Sequence, residues 1–438
     1  MRSMFKVFSQ SIQSSSVSPK RLVLAYSGGV DSQVMLELMV NYREHNPSVE
    51  CFAVHVHHGL SDNADFWAQH CSEQCKKVNV PLVIESVTLD LSQSESIEKL
   101  ARDARYQALD KNVQAGDLLL TGQHSDDQVE TFLLALKRGS GPKGLASMAV
   151  RKRFGLGELV RPLLGVPRCD IEQYAEQHKL NWIEDESNQD QRFERNFVRH
   201  QVTPQLVERW PTFRDSVRRS AELCAEQEML LDELLNDHLQ LAVQPDMSLS
   251  IAALSEHSSL LRSRLIRMWL SQLECQMPSQ KQLLLIWQEV ALAQVDANPE
   301  LVLAGGTIRR FANKLYLVAK VSDVSSWQSE VKINQSLELP DSLGKVILSN
   351  QGLGRIRLPE HPDELSIIFN PEGLSAHPVD RGHSRKLKKL FQEYQVPSWL
   401  RRRTPILMYK GKVVAVAGLF VDQAFDGQDC DLIWSKAL

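Results

Sequence analysis

Arg21-Leu-Val-Leu-Ala-Tyr26 runs straight into Ser27-Gly28-Gly29-Val30-Asp31-Ser32, and a helical stretch follows from Ser32 to Tyr42. The first six residues have the length and apolarity of a buried strand, and the glycine pair marks a turn. Strand, glycine turn and helix in direct succession predict a strand–helix–strand unit with a parallel sheet. The unit recurs downstream: strand Cys51 to Val56, helix Ala64 to Val78, strand Pro81 to Val87, helix Ile97 to Leu109, strand Asp117 to Thr121, helix Gln128 to Leu136. The expected fold is therefore α/β, an N-terminal doubly wound parallel sheet with helices on both faces. In such sheets ligands bind beyond the carboxyl ends of the strands.

The alternation stops near residue 200. Pro204 to Leu239 is charged and Leu-rich, which suits a linker helix, and Leu261, Leu265, Trp269 and Leu273 recur at i+4. Ser279 with Gln282 has the form of a capping box before Leu283 to Leu292. Strand-like text surrounds Asn313-Lys314, Val321 to Asn334 is polar, and short strands then mix with a basic helix, Ser384 to Gln395. The expected domains are 1–215 (catalytic), 216–245 (linker helix), 246–320 (small and mainly helical), 321–340 (linker) and 341–438 (basic α+β). Ser9 to Ser18 reads as a flexible arm or an early helix end.

With 438 residues the chain is too long for one ordinary core, and its 43% hydrophobic and 24% charged residues match a soluble globular protein. The longest apolar run, Val413 to Val421, is too short for a membrane span, so a cytoplasmic protein without a membrane partner is expected. The seven cysteines have no paired metal-like spacing, which argues against a zinc ribbon or a disulfide framework. A net charge of −4 hides a strong asymmetry. Arg381 to Arg403 holds eight Lys/Arg against one acid, Glu393, while the remainder has 42 basic and 53 acidic residues. An acidic body with one concentrated basic patch suits a protein that meets a polyanion on a single surface.

The chemistry is concentrated in a few segments. In Ser27 to Ser32 the glycines let backbone approach a ligand, the successive N–H groups form an anion nest, and the helix N-terminus adds positive potential. The loop suits phosphate, yet it is not a Walker A loop, because the G-x-x-x-x-G-K-[ST] pattern is missing. It resembles the PP-loop signature of ATP pyrophosphatases, which cleave between the α and β phosphates. A carboxylate beside phosphates suits Mg²⁺, so Asp31 is a metal candidate, with helix capping as the plain alternative. Gly122-Gln-His-Ser-Asp-Asp-Gln-Val-Glu-Thr131 opens where strand Asp117 to Thr121 ends, and on a helix Asp127, Glu130 and Thr131 share a face. Asp126 reads as an N-cap. His55-Val-His57-His58 raises zinc, but without accompanying Cys or spaced carboxylates the reading is nucleotide or substrate contact. Glu98, Arg102, Arg105 and Tyr106 lie on one helix face, either functional or simply solvated. Arg138-Gly-Ser-Gly-Pro-Lys-Gly-Leu145 is a helix C-cap loop or a lid over anions. Arg195 and Arg199, one turn apart, either bind phosphate or pair with Glu194 and Glu184.

Together these segments resemble one family, tRNA(Ile)-lysidine synthase in its long bacterial form. The resemblance spans nearly the whole chain: the PP-loop, H-x-x-H-x-L (His55 to Leu60), E-x-x-A-R-x-x-R-Y (Glu98 to Tyr106), H-x-D-D-Q-x-E-T (His124 to Thr131), R-G-S-G-x-x-G-L (Arg138 to Leu145), R-P-L-L (Arg161 to Leu164), E-D-x-S-N with R-N-x-x-R (Glu184 to Arg199), and K-L-K-K-L-F-Q-E…V-P-x-W (Lys386 to Trp399). Two positions depart from many members: Ser61 stands where Arg is common, and Gln123 where a second His precedes the acidic pair.

The resemblance implies a Rossmann-like PP-loop domain that uses ATP to adenylate the C2 carbonyl oxygen of the wobble cytidine in tRNA(Ile) with a CAU anticodon. The ε-amine of free L-lysine then displaces AMP. It implies ATP and Mg²⁺, with Ser27, Gly28, Gly29, Val30, Asp31, Ser32, His55 and His124 around the nucleotide and Asp31 and Asp127 on the metal. Arg102, Arg105 and Glu130 join these two acids as catalytic candidates, with a base for lysine near Glu130 or Glu184. Arg195, Arg199, Lys386, Lys388, Lys389, Arg401, Arg402 and Arg403 are the expected RNA contacts, and monomer or homodimer is left open. A tRNA thiolase is the alternative enzyme, but it would need a persulfide-carrying or cluster-binding cysteine set, and the chain has no C-x-x-C. A nucleotide-binding RNA chaperone is the alternative without turnover.

Overall fold

The computed structural model describes residues 3–14, 19–59, 61, 63–88, 97–294, 297–351 and 354–436. Leu60, Ser15 to Ser18 and the side chain of Glu98 lie outside the described residues. The chain divides into two compact units, Met1–Glu233 and Leu234–Leu438.

The first unit opens with helix α1 (Met4–Gln13), whose Phe8 and Ile12 are fully buried, so the stretch expected as a flexible arm or early helix end is packed helix as far as Gln13. Strand β1 (Arg21–Ala25), helix α2 (Val30–His45), β2 (Glu50–His57), α3 (Ala64–Lys77), β3 (Leu82–Ser86), α4 (Ile97–Asp110), β4 (Leu118–Leu120) and α5 (Ser125–Lys137) follow in strict alternation. A short helix α6 (Pro142–Leu145) and a hairpin, β5 (Arg151–Phe154) with β6 (Gly157–Val160), complete the sheet. Its order is β3-β2-β1-β4-β6-β5, parallel except for the β5/β6 pair. Leu22, Val23 and Leu24 of β1 are all buried, as a central strand covered on both faces requires. Strands run outward to one side as β1, β2, β3 and to the other from β4, so the order reverses between β1 and β4. That switch point is where a crevice opens above the carboxyl ends.

Helix α7 (Arg168–Gln177) packs Ile171 and Ala175 into the same core as α2. A nearly continuous helical run then passes from α8 (Glu194–Phe197) through a π-helical turn (Val198–Val202) to α9 (Thr203–Arg209). Helix α10 (Phe213–Ala242) spans the division of the chain.

In the second unit, β7 (Leu249–Ser250), α11 (Ile251–Ser255), α12 (Ser259–Gln272) and α13 (Gln280–Leu285) enclose Leu265, Ile266, Trp269 and Ile286. The capping box of Ser279 and Gln282 is present. This region is less helical than expected. Strands β8 (Glu300–Leu303), β9 (Gly306–Phe311) and β10 (Lys314–Val318) form an antiparallel sheet in the order β7-β10-β9-β8. The β9/β10 turn at Ala312-Asn313, with both φ positive, gives the twist that a tight hairpin needs.

The expected linker 321–340 also contains strands, β11 (Gln328–Glu330) and β12 (Ser336–Glu338). They join two sheets of the C-terminal region, with β13 (Lys345–Ser349), β14 (Leu365–Ile368), β17 (Ile406–Tyr409), β18 (Lys412–Val416), β19 (Phe420–Val421) and β20 (Asp431–Ser435), beside the small pair β15 (Ser375–Ala376) and β16 (Arg385–Lys386). Edge strands this short and exposed are polar, so their text reads as loop. The basic helix is α14 (Leu387–Glu393), with Lys386 at its N-cap, and α15 (Ser398–Arg401) follows.

Candidate functional site

Because β1 pairs with β4 (Leu22 with Leu118, Leu24 with Leu120), the two loops leaving their carboxyl ends are neighbours. One is the glycine loop and the other carries His124 to Thr131. Gly28 adopts φ +85°, and a Cβ there would sit 2.8 Å from Ile183 Cδ1 and 2.9 Å from Cys71 Sγ, so the turn needs glycine twice over. Gly122 is crowded across the cleft, where a Cβ would come within 3.2 Å of the Asp31 backbone.

Within the loop Ser32 Oγ accepts the Gly28 N–H at 3.0 Å and donates to the Gly29 carbonyl at 2.9 Å, with Ser27 Oγ at 3.1 Å. Ser32 therefore braces the loop from inside. Val30 is a core residue, leaving only its backbone for a ligand. His55 is likewise buried, its Nδ1 2.9 Å from the Tyr26 carbonyl and 3.5 Å from Cys71 Sγ. Burial pushes its pKa down, so it supports the strand–loop junction as a neutral ring.

Asp31, in the first turn of α2, faces His124, which is 1% exposed. His124 Nε2 lies 3.7 Å from Asp31 Oδ1 and 3.4 Å from Asp127 Oδ2, and its Nδ1 is 3.9 Å from Asp126 Oδ2. Three carboxylates thus converge on one buried imidazole. Asp31 Oδ1 is buried without a hydrogen-bond partner. Burial pushes the Asp31 carboxyl above its usual range, against the pull of His124 and Arg168. Burial pushes Asp126 up as well, but the Arg168 N–H and the Arg214 guanidinium outweigh it and hold that carboxyl low.

Glu130, also 1% exposed, has both oxygens taken. Arg195 Nε donates to Oε2 at 2.7 Å and Arg199 Nε to Oε1 at 2.6 Å, and Arg199 Nη2 also reaches Asp127 Oδ1 at 3.3 Å. The two arginines pair neither with Glu194, which bonds Lys137, nor with the exposed Glu184. Both arginines instead bond buried carboxylates as a clamp, and each oxygen of Glu130 accepts from a guanidinium. Burial works against the charge on Arg199, yet Glu130 and Asp127 hold its pKa above the usual range. A cavity of about 160 Å³ lies beside this clamp, lined by Asp126, Glu130, Arg168, Arg199, Thr203, Pro204 and Arg214.

Arg168 and Arg214 were not anticipated from the sequence. Arg168 Nη1 is 3.6 Å from Asp31 Oδ2, and Arg214 Nε donates to Asp126 Oδ1 at 2.7 Å. Both occupy the first turn of a helix, where a cation opposes the macrodipole. That misfit is the signal by which they could have been found. Arg102 and Arg105 flank the Tyr106 ring on α4, at 5.4 and 5.8 Å from its centroid. At the departing position, Gln123 Oε1 accepts from Thr121 Oγ1 and from Arg161 Nε at 3.2 Å, which orders the turn before His124. The other departure, Ser61, caps a turn by accepting the Asn63 N–H at 3.1 Å.

The donor set fits Mg²⁺. Among the described residues no three His, Cys, Asp or Glu form a complete metal cage. A buried, unpartnered Asp31 oxygen with Asp127 beside it is instead what an ion shared between one or two carboxylates, phosphates and water requires.

In the second unit the cations of the basic patch separate into two groups. Arg401 Nε bonds the Val396 carbonyl, Arg402 pairs with Glu372, and Arg403 Nη2 lies 2.7 Å from Asp341 Oδ2. Arg381 and Arg385 share Glu393. Lys386, Lys388 and Lys389 are exposed and have no ion pair among the described residues. Of the six expected cations, the three lysines thus carry no ion pair among the described residues, whereas each of the three arginines bonds a group of the C-terminal region. No helix among the described residues is long and apolar enough to cross a membrane.

Comparison with known proteins gives three matching families along the chain. A PP-loop domain matches residues 2–206, a TilS substrate binding domain 249–316, and a TilS substrate C-terminal domain 365–435. Among curated relatives, proteins named tRNA(Ile)-lysidine synthase from Vibrio atlanticus and Vibrio parahaemolyticus are 58% and 59% identical, each match covering 100% of both chains. One from Photobacterium profundum is 53% identical over 94% of this chain and 95% of its own.

Proposed function

This chain belongs to the tRNA(Ile)-lysidine synthase family, and from that membership we propose how its residues divide the work. It uses ATP to ligate lysine to the wobble cytidine of tRNA(Ile), through an adenylated cytidine. The observation that carries the reading is the meeting of Asp31, in the phosphate loop, with the His124–Thr131 segment at the β1/β4 switch point.

The C2 oxygen of cytidine is amide-like and leaves poorly. In the first step that oxygen bonds the α-phosphorus while the bond to the β-phosphate oxygen breaks, releasing pyrophosphate. In the second, the neutral amine of lysine attacks C2, and AMP leaves with the oxygen. The glycine loop and the N-terminus of α2 hold the phosphates through backbone N–H groups. Asp31, with Asp127 beside it, would hold Mg²⁺, which would supply positive charge to neutralise the phosphates. His124 keeps those carboxylates together, and Arg102 and Arg105 on α4 are the cations for the α-phosphate. Free L-lysine takes the cavity beside the Glu130 clamp. Its lining of two carboxylates and three guanidiniums suits an amino acid that carries an ammonium and a carboxylate.

The loop has no Walker lysine for the β and γ phosphates. Incubation with radiolabelled lysine, ATP and tRNA(Ile) transcript is therefore expected to label the RNA only when ATP is present, with AMP and pyrophosphate as the nucleotide products on chromatography. ADP as the main product would overturn the assignment.

The tRNA body is held in part by Lys386, Lys388 and Lys389. If each neutralises one phosphate, reversing all three to Glu should flatten the log–log salt dependence of tRNA binding by roughly 2 to 3, at about 0.7 to 0.9 per contact. Turnover at saturating tRNA should fall less, because these contacts position RNA without touching the reacting base. An unchanged slope would return the lysines to ordinary surface.

A further inference from the structure

On the antiparallel pair β9/β10, Arg309 stands opposite Tyr316, and Phe311 is two residues further along the same face. The opposite face is the one that buries Ile308 and Leu315 in the core. Arg309, Tyr316 and Phe311 would otherwise form an aromatic and cationic patch open to water. Trp399 of α15 covers it. Its ring centroid lies 5.3 Å from that of Tyr316 and 6.1 Å from that of Phe311, and the Arg309 guanidinium carbon is 5.9 Å from the ring. Arg309 is held from its other side by Glu300, across β8/β9, at 2.6 Å. Beside the tryptophan, Ser398 Oγ donates to Asn298 Oδ1 at 2.7 Å. The neighbouring Arg401 bonds the Val396 carbonyl, and Arg403 bonds Asp341 and the Ser322 carbonyl, so neither takes part in the contact that the Ser398-Trp399 step makes.

We propose that Trp399 is a positioning residue that docks the C-terminal domain onto the β8–β10 sheet, fixing Lys386, Lys388 and Lys389 relative to the middle domain as one preorganised RNA-binding surface. The RNA part rests on the function proposed above; the docking does not. A ring tilted against Tyr316, edge-on to Phe311 and near a guanidinium carries the geometric selectivity of aromatic and cation–π contacts. Preorganisation by such a contact acts on affinity without adding a phosphate contact, because it raises the effective concentration of one binding module for a ligand already held by the other.

The two roles have different signatures. Trp399→Ala in the full chain should weaken tRNA binding about tenfold or more and leave the log–log salt slope unchanged, whereas the triple lysine reversal flattens the slope. Trp399→Phe should retain most of the affinity. Tyr316→Ala, which attacks the contact from the middle domain, should reproduce Trp399→Ala and guards against a variant that merely unfolds α15; circular dichroism accompanies each. Without RNA, limited proteolysis of the same variants should speed cleavage in the 319–327 segment joining the domains. Unchanged proteolysis in both Trp399→Ala and Tyr316→Ala overturns the docking. Faster proteolysis with unchanged tRNA affinity keeps the docking and overturns its part in RNA binding.

Discussion

Replacing Asp31 by alanine is expected to abolish tRNA-dependent pyrophosphate release while the far-UV circular dichroism stays that of the native chain. Asp31 makes no structural hydrogen bond through its buried Oδ1, so the fold loses little when the carboxylate goes. On the function proposed above, the reaction loses a carboxylate that would hold Mg²⁺. A loss of about 4 kcal/mol of charge stabilisation corresponds to roughly a thousandfold in rate. Asp127→Ala should behave differently. Asp127 accepts the His124 N–H at 3.1 Å and meets Arg199 at 3.3 Å, so its removal also uncaps α5 at a typical cost of about 1 kcal/mol. Pyrophosphate release and thermal unfolding measured together separate the two. Wild-type release in Asp31→Ala would take that residue out of the mechanism.

The second large effect is on stability. Arg199→Ala should lower the unfolding free energy by about 3 kcal/mol, the lower end of the range for breaking a buried ion pair, because Arg195 still satisfies one oxygen of Glu130. The loss comes from a carboxylate that is 1% exposed and left without two of its three donors. Glu130→Gln on the Arg199→Ala background should recover part of the loss, since a neutral amide costs less to bury than a half-paired charge. Urea titration of the two single variants and the double variant gives the coupling directly. An unchanged midpoint in Arg199→Ala would mean that water replaces the guanidinium and that Glu130 is not desolvated.

Part of the site was legible residue by residue. The glycine loop announced itself because phosphate binding depends on backbone N–H groups and on the absence of side chains, both of which sequence spells out. Asp31 and the His124–Thr131 segment were readable from their places after strands β1 and β4. The partners of those carboxylates were not readable. Arg195 and Arg199 looked like phosphate ligands or partners of the nearby Glu194 and Glu184, because spacing measures separation along the chain only. Their true partner, Glu130, is more than sixty residues away. The basic patch was only partly readable for a related reason: charge along the chain counts cations, but it does not record that Arg401, Arg402 and Arg403 each meet a partner of the C-terminal region while the three lysines do not.

What the sequence alone determined is the alternation of elements, the parallel sheet it forces and the loop at the end of its first strand, since hydrophobic period, glycine placement and strand length are local properties. The polar strands β11 and β12 escaped it, because at a sheet edge one side of a strand faces water and nothing in a three-residue stretch records the ladder it joins. Only the tertiary structure decided which charges meet. It set β1 beside β4 and so closed three aspartates on His124. It also brought Arg168 and Arg214, each at a helix start that disfavours it, against Asp31 and Asp126. Ion pairing depends on distances of a few ångströms between residues far apart in the chain, and folding alone fixes those distances.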